Sequence, residues 1–231
     1  MFLGVHIGIA MFVTGFLGFA YIVNIQGAIG LLKSTPFANA SNYALTVIPL
    51  FVLMGQFAFY SGLSRELYDV SYKWLGHLRG GLSIATIGAC AGFAAICGSS
   101  PATAATMGTV ALPEMKKYGY ADKLACGSVA AGGTLGILIP PSVGFILYGI
   151  IAQQSIGRLF AAGVIPGIML AVLYSLAVVY IVWRNPDLGP RGTECSLAEK
   201  LKSLKEIWGV LFLFIFIIGG MFVGIFTANE A

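Results

Sequence analysis

The chain has 231 residues, 58% of them hydrophobic and only 10% charged, with a formal net charge of +4. A soluble domain carries about 25% charged residues, so this composition excludes a water-soluble globular protein and points to an integral membrane protein. The basic residues lie between hydrophobic runs, where they report topology rather than a nucleic-acid partner, and the four cysteines (Cys90, Cys97, Cys126, Cys195) show no metal-ligand spacing.

The opening stretch, MFLGVHIGIAMFVTGFLGFAYIV, lacks a basic n-region and a distinct small-residue cleavage site. It reads as a membrane helix rather than a removable signal. Residues 24–40 are expected to form an outer loop and 41–60 a single crossing. Next comes SGLSRELYDVSYKWLGHLRG (61–80), with Leu63, Leu67, Val70, Trp74 and Leu78 at helical spacing and Arg65, Glu66, Asp69 and Lys73 on other faces. That pattern predicts an amphipathic helix in the cytoplasmic interface, either a simple loop helix or an arm joining a fixed part to a moving one. His77 has no second ligand at metal spacing.

Four runs carry no charge: 80–113, 124–157, 159–183 and 207–229. Each exceeds the roughly 20 residues needed to span hydrocarbon. They must satisfy their own backbone groups as helices, since no two-residue alternation suggests a barrel. The first two runs have 34 residues each. A straight helix of that length would measure roughly 50 Å against a core of about 30 Å, so each is either a hairpin or a broken single crossing.

The distribution of lysine and arginine selects among the combinations. With a hairpin first and a broken crossing second, the basic residues divide 11 to 2, whereas the alternatives give 9 to 4, 8 to 5 and 7 to 6. The preferred arrangement places 61–79, 114–123 and 184–206 in the cytoplasm, with 24–40 and 153–158 outside. The hairpin turn then falls at Cys97, Gly98, Ser99, Ser100 and Pro101. A re-entrant tip and two short full crossings satisfy the charge count equally.

The second run breaks at GGTLGILIPPSVG (132–144). Pro140 and Pro141 have no amide hydrogen, so the carbonyls of Gly136 and Ile137 lose their helical donors, and Ser142 adds a hydroxyl. Unwound carbonyls at membrane depth suit a sodium ion, while helix N-termini suit anionic groups of a solute. The pairs Gly88/Gly92 and Gly132/Gly136 also read as helix-packing patches. A helix over 158–184, a polar linker over 185–206 and a helix over 207–231 complete the chain, and Trp183 and Trp208 stand at aromatic-belt height.

No ionisable residue interrupts the charge-free runs, no HExxH or phosphate-binding loop is present, and Ser99 and Ser100 have no visible base. Enzymatic activity and direct ATP drive are therefore not expected. The residues alone leave two classes open: a secondary transporter binding at the two breaks, or a membrane scaffold whose breaks serve packing.

The stretch GSSPATAATMGTVALPEMKKYGY, followed by AAGGTLGILIPPSVGFILYGIIAQQSIGRLFAAGVIPG, resembles the large membrane subunit of the tripartite ATP-independent periplasmic (TRAP) transporters. LTVIPLFVLMGQF upstream and GGMFVGIFTANEA at the end extend the resemblance over nearly the whole chain, with Ala228 and Asn229 where the family carries Pro-Thr. It implies a sodium-driven importer of carboxylate-bearing solutes in the bacterial inner membrane. The implied partners are a small membrane subunit and a periplasmic solute-binding protein.

The implied fold is all-α, one inverted repeat of an elevator-type transporter related to divalent anion/sodium symporters. Residues 1–79 would supply scaffold helices and the arm, and 80–157 the hairpin and broken helix. The hairpin tip maps to Gly98, Ser99, Ser100 and Thr103. The broken helix maps to Gly136, Ile137, Pro140, Pro141 and Ser142. Tip and break would share a sodium ion, with Ser100, Gly136, Ile137 and Ser142 as its candidate ligands, and face the solute. The family's usual hydrophobic run before GVHIG is shortened here to three residues. The family's large subunit is about twice as long, so a second hairpin and broken helix are expected elsewhere, and the chain is not expected to transport alone.

Overall fold

The computed structural model describes residues 5–192, 195–205 and 207–225. These form eleven α-helices joined by short 3₁₀ turns, with no strand beyond one isolated bridge among the described residues. The chain divides into two compact units, Met1–Thr46 and Val47–Ala231.

In the first unit, α1 (Ile7–Ile22) and α2 (Ile25–Ala40) pack as a pair, followed by a 3₁₀ turn at Tyr43–Thr46. The outer loop expected over 24–40 is instead helical. Asn24 starts it, its side-chain oxygen accepting the Gly27 N–H, one of the donors that a helix leaves unpaired at its start.

The second unit begins with α3 (Val47–Tyr60) and α4 (Leu63–Leu75), bent by 61° about Gly62. The single crossing expected over 41–60 is shorter than anticipated, because α3 has 14 residues and reaches only about 21 Å. Pro49 explains the start. A helix running through from residue 41 would need the Pro49 N–H for the carbonyl of Leu45, whereas in a first turn that donor is dispensable.

The amphipathic helix α4 does not rest its apolar side on lipid. Leu67, Tyr68 and Val70 are buried, and α4 packs along α5 (Gly81–Cys97), where the glycines at 88 and 92 admit Ser71, Leu75 and Leu67. Trp74 and Leu78 stay exposed. Helix α5 is the centre of the unit, with Leu82, Ile87, Phe93 and Ile96 almost wholly enclosed. It returns as α6 (Ser100–Lys117), and α7 (Asp122–Thr134) packs against both limbs. After a 3₁₀ turn at Leu135–Ile137 the chain breaks, resumes as α8 (Val143–Ile151), and continues into α9 (Ile156–Arg184).

Among the described residues, α9 is the one unbroken helix long and apolar enough to cross a membrane. The stretch expected to cross over 207–227 is helical as α11 (Trp208–Val223), but its 16 residues are fewer than a full span, and it follows α10 (Leu197–Leu204) at a 44° bend. The TANEA end and the first residues before GVHIG lie outside the described residues. Cys90 and Cys97 are buried as packing residues, whereas Cys126 is exposed on α7, a face that hydropathy does not distinguish from a buried one.

Three loops of like charge meet at one end of this unit. The Gly80 N–H donates to Gly189 O (3.0 Å), Ala121 N–H to Leu188 O (3.1 Å) and Gly192 N–H to Gly76 O (2.9 Å). Tyr120 Oη accepts the Leu82 N–H (3.1 Å), and the Tyr72 and Tyr118 hydroxyls are 2.9 Å apart. The described parts of 61–79, 114–123 and 184–192 thus meet at one end of the unit, where the charge partition expects them to be neighbours.

Candidate functional site

The hairpin turns at two residues. Gly98 closes α5 in the left-handed region (φ 59°), its N–H donating to Ala94 O (3.0 Å), and extended Ser99 starts α6. Any side chain at position 98 would meet both this φ and Pro141 O, which lies 3.0 Å from where a methyl would stand. Pro101 occupies the first turn of α6, where its missing N–H costs nothing. The turn therefore falls within the expected Cys97 to Pro101.

The break is equally local in origin. Pro140 and Pro141 remove the amides that would serve the carbonyls of Gly136 and Ile137, so α7 ends in a 3₁₀ turn and residues 138–142 run irregularly. Part of the loss is repaired on site. Ser142 Oγ donates to Ile137 O (2.7 Å) and accepts the Gly144 N–H (3.2 Å), capping α8. Pro140, Pro141 and Ser142 are buried, whereas the Ile137 side chain is exposed.

Tip and break are in contact. The Val143 N–H donates to Gly98 O (3.3 Å), and Ser100 Oγ donates to Thr134 O (3.3 Å). Gly136 presses on the first turn of α6, since a methyl there would stand 2.6 Å from Ser99 O and 2.8 Å from Thr103 Oγ1. The Thr103 hydroxyl is fully buried beside this contact, next to the Cys97 thiol, and meets no hydrogen-bond partner at bonding geometry among the described residues. A buried unpaired hydroxyl costs about 1–3 kcal/mol, and Ser83 Oγ on α5 carries the same cost. Gly98, Ser99, Thr103, Gly136 and Pro141 are thereby brought together. Ser142 and Ile137 are paired first with each other, and Ser100 reaches α7 rather than the Gly136 carbonyl.

Four helix ends converge here. Helices α5 and α7 present carbonyl termini, with partial negative charge, while α6 and α8 present N–H termini with partial positive charge, each about half an elementary charge. Carbonyls and neutral hydroxyls form a hard oxygen set suited to an alkali cation, and the N-termini suit an anion. No group of three or more His, Cys, Asp or Glu side chains that could hold a metal occurs among the described residues. A cleft of about 320 Å³ lies beside the tip, between α3 and the hairpin, with Gln56, Ser99, Thr106 and Thr109 as polar lining.

Sequence reasoning missed how the break is held from behind. On α9, a methyl at Gly163 would stand 3.0 Å from Leu138 O, and one at Gly167 2.7 Å from the Ile139 side chain. The unwound segment is thus clasped between the tip and a glycine face of α9. The four-residue spacing of Gly163 and Gly167 was the available signal.

The whole chain, residues 1–231, matches the family described as Tripartite ATP-independent periplasmic transporter, DctM component. It is similar to the C4-dicarboxylate TRAP transporter large permease protein DctM of Pseudomonas aeruginosa, with 41% identity over 90% of this chain and 51% of that protein. The protein of the same description from Vibrio cholerae is 38% identical over 100% of this chain and 50% of its own length. The Ectoine TRAP transporter large permease protein TeaC of Halomonas elongata is 31% identical, over 100% and 54% respectively. The chain spans about half the length of these relatives.

Proposed function

The chain belongs to the DctM-component family of tripartite ATP-independent periplasmic transporters, and from that premise we propose that it forms one hairpin and broken-helix half of a sodium-coupled importer. The family is one of transport proteins rather than enzymes. The proposed location is the bacterial inner membrane. The proposed partners are a small membrane subunit and a periplasmic binding protein that delivers the solute.

The observation that carries the proposal is the unpartnered, buried Thr103 hydroxyl, set against Gly136 and the Ser99 carbonyl where four helix ends meet. A sodium ion there would take neutral oxygens from Ser99, Thr103 and the carbonyl edge of residues 136–137, with Ser100 and Ser142 completing or positioning that edge. Sodium binding would pull tip and break together. The charge gained would then favour an anionic solute at the N-termini of α6 and α8. The cleft beside Gln56 has room for a small solute. Relatives named for C4-dicarboxylates support a carboxylate-bearing one.

Transport would proceed by an elevator-type displacement of the hairpin and broken helix. Uptake by the assembled transporter containing this chain tests the coupling. Replacing sodium with choline should abolish accumulation, and uptake unchanged in choline would overturn the proposal.

A further inference from the structure

A second cavity lies away from the tip. It is a groove of about 330 Å³ between α7 and α9, with Gly127 and Ala131 on one wall and Ala177 and Ile181 on the other. Tyr174, whose hydroxyl is 3.1 Å from that of Thr134, lines its inner end. Its outer end opens at Lys123, in the first turn of α7, beside Leu188 of the segment that ties the basic loops together. From position 123 to 131 the helix rises about 12 Å, close to the roughly 15 Å of hydrocarbon in one leaflet.

The mouth carries one basic side chain, Lys123. Asp122 precedes Lys123 and Asp187 precedes Leu188 in the chain, yet the described residues include no ion pair to Lys123. At the same end, the backbones of Arg79 and Arg191 pair in an isolated antiparallel bridge, which adds two basic residues to this end of the unit. An apolar groove of nearly one leaflet's depth with a basic rim has the shape of a phospholipid site.

We propose that this groove holds one acyl chain of an anionic phospholipid whose headgroup phosphate sits on Lys123. The lipid would lie against α7 and α9, the two helices that flank the break. The site does not depend on the transport reading.

Native mass spectrometry of the assembled transporter, exchanged into mixed phosphatidylglycerol and phosphatidylethanolamine, tests it. Phosphatidylglycerol should be retained about fivefold over phosphatidylethanolamine, the worth of one lysine at an anionic surface. Lys123→Gln should erase that preference. Gly127→Leu should displace both lipids, because a Cβ at position 127 meets nothing within 4 Å and its side chain enters the groove. Ala177→Leu fills the groove from the other wall, and elution as an intact complex checks folding. An excess of inorganic phosphate should leave lipid retention unchanged. Displacement by phosphate would instead indicate a site for a soluble anion. An undiminished preference in Lys123→Gln, or an unchanged lipid count in both groove-filling variants, would overturn the proposal.

Discussion

Replacing Thr103 with valine removes one oxygen from the junction while keeping the side-chain shape. The hydroxyl is enclosed and has no partner at bonding geometry among the described residues, so in sodium-free buffer its loss relieves a desolvation penalty of about 1–3 kcal/mol. The variant should therefore be as stable as the parent without sodium, or more so. With sodium the sign reverses. An oxygen bound to a charged partner is worth about 1.5–3 kcal/mol, which corresponds to roughly a 10- to 150-fold rise in the sodium concentration needed for half-maximal uptake. Thr103→Ser restores an oxygen and should stay near the parent value. The assays are thermal unfolding of the purified complex with and without sodium, and sodium titration of uptake in proteoliposomes. A valine variant that is less stable in sodium-free buffer yet unchanged in sodium dependence would refute the reasoning, because the hydroxyl would then serve packing.

Two further substitutions probe the same architecture. Gly136→Ala places a methyl 2.6 Å from Ser99 O, and backbone gives way poorly, so the variant should lose about 1–3 kcal/mol of stability; a thermal-unfolding midpoint equal to the parent's would contradict the observed contact. Tyr120 holds the start of α5 by accepting the Leu82 N–H, and burial pushes its phenol from 10.0 up to about 12. Only the neutral phenol is favoured in the folded protein, so stability should be level below pH 10 and fall between pH 10 and about 12. Tyr120→Phe should flatten that decline and cost about 1 kcal/mol at neutral pH, as denaturation curves across the range would show.

Much of the fold is legible because its causes are local. Gly98 with Pro101 turns the hairpin, Pro140 with Pro141 breaks the next helix, and lysine and arginine sort the loops onto one end. What escaped depends on contacts between distant segments. Hydropathy treats a helix face that meets another helix like one that meets lipid, so it does not separate the seat of α4 on α5 from a seat on the membrane interface. Asn24 as a cap and Pro49 as a helix start are local signals that a count of apolar length overrides. The pairing of Ser142 with Ile137 follows from the path of an irregular segment, and the clasp by Gly163 and Gly167 from how α9 folds back on it. The Thr103 hydroxyl was expected at the tip. Its burial without a partner emerges only once Gly136 is packed against it.

Sodium-dependent hydrogen exchange on the assembled transporter addresses the central claim most directly. If tip and break share a sodium ion, amides in 98–103 and 136–144 should exchange more slowly in sodium than in choline, together and with one sodium dependence. Identical exchange of these segments in the two salts would contradict it.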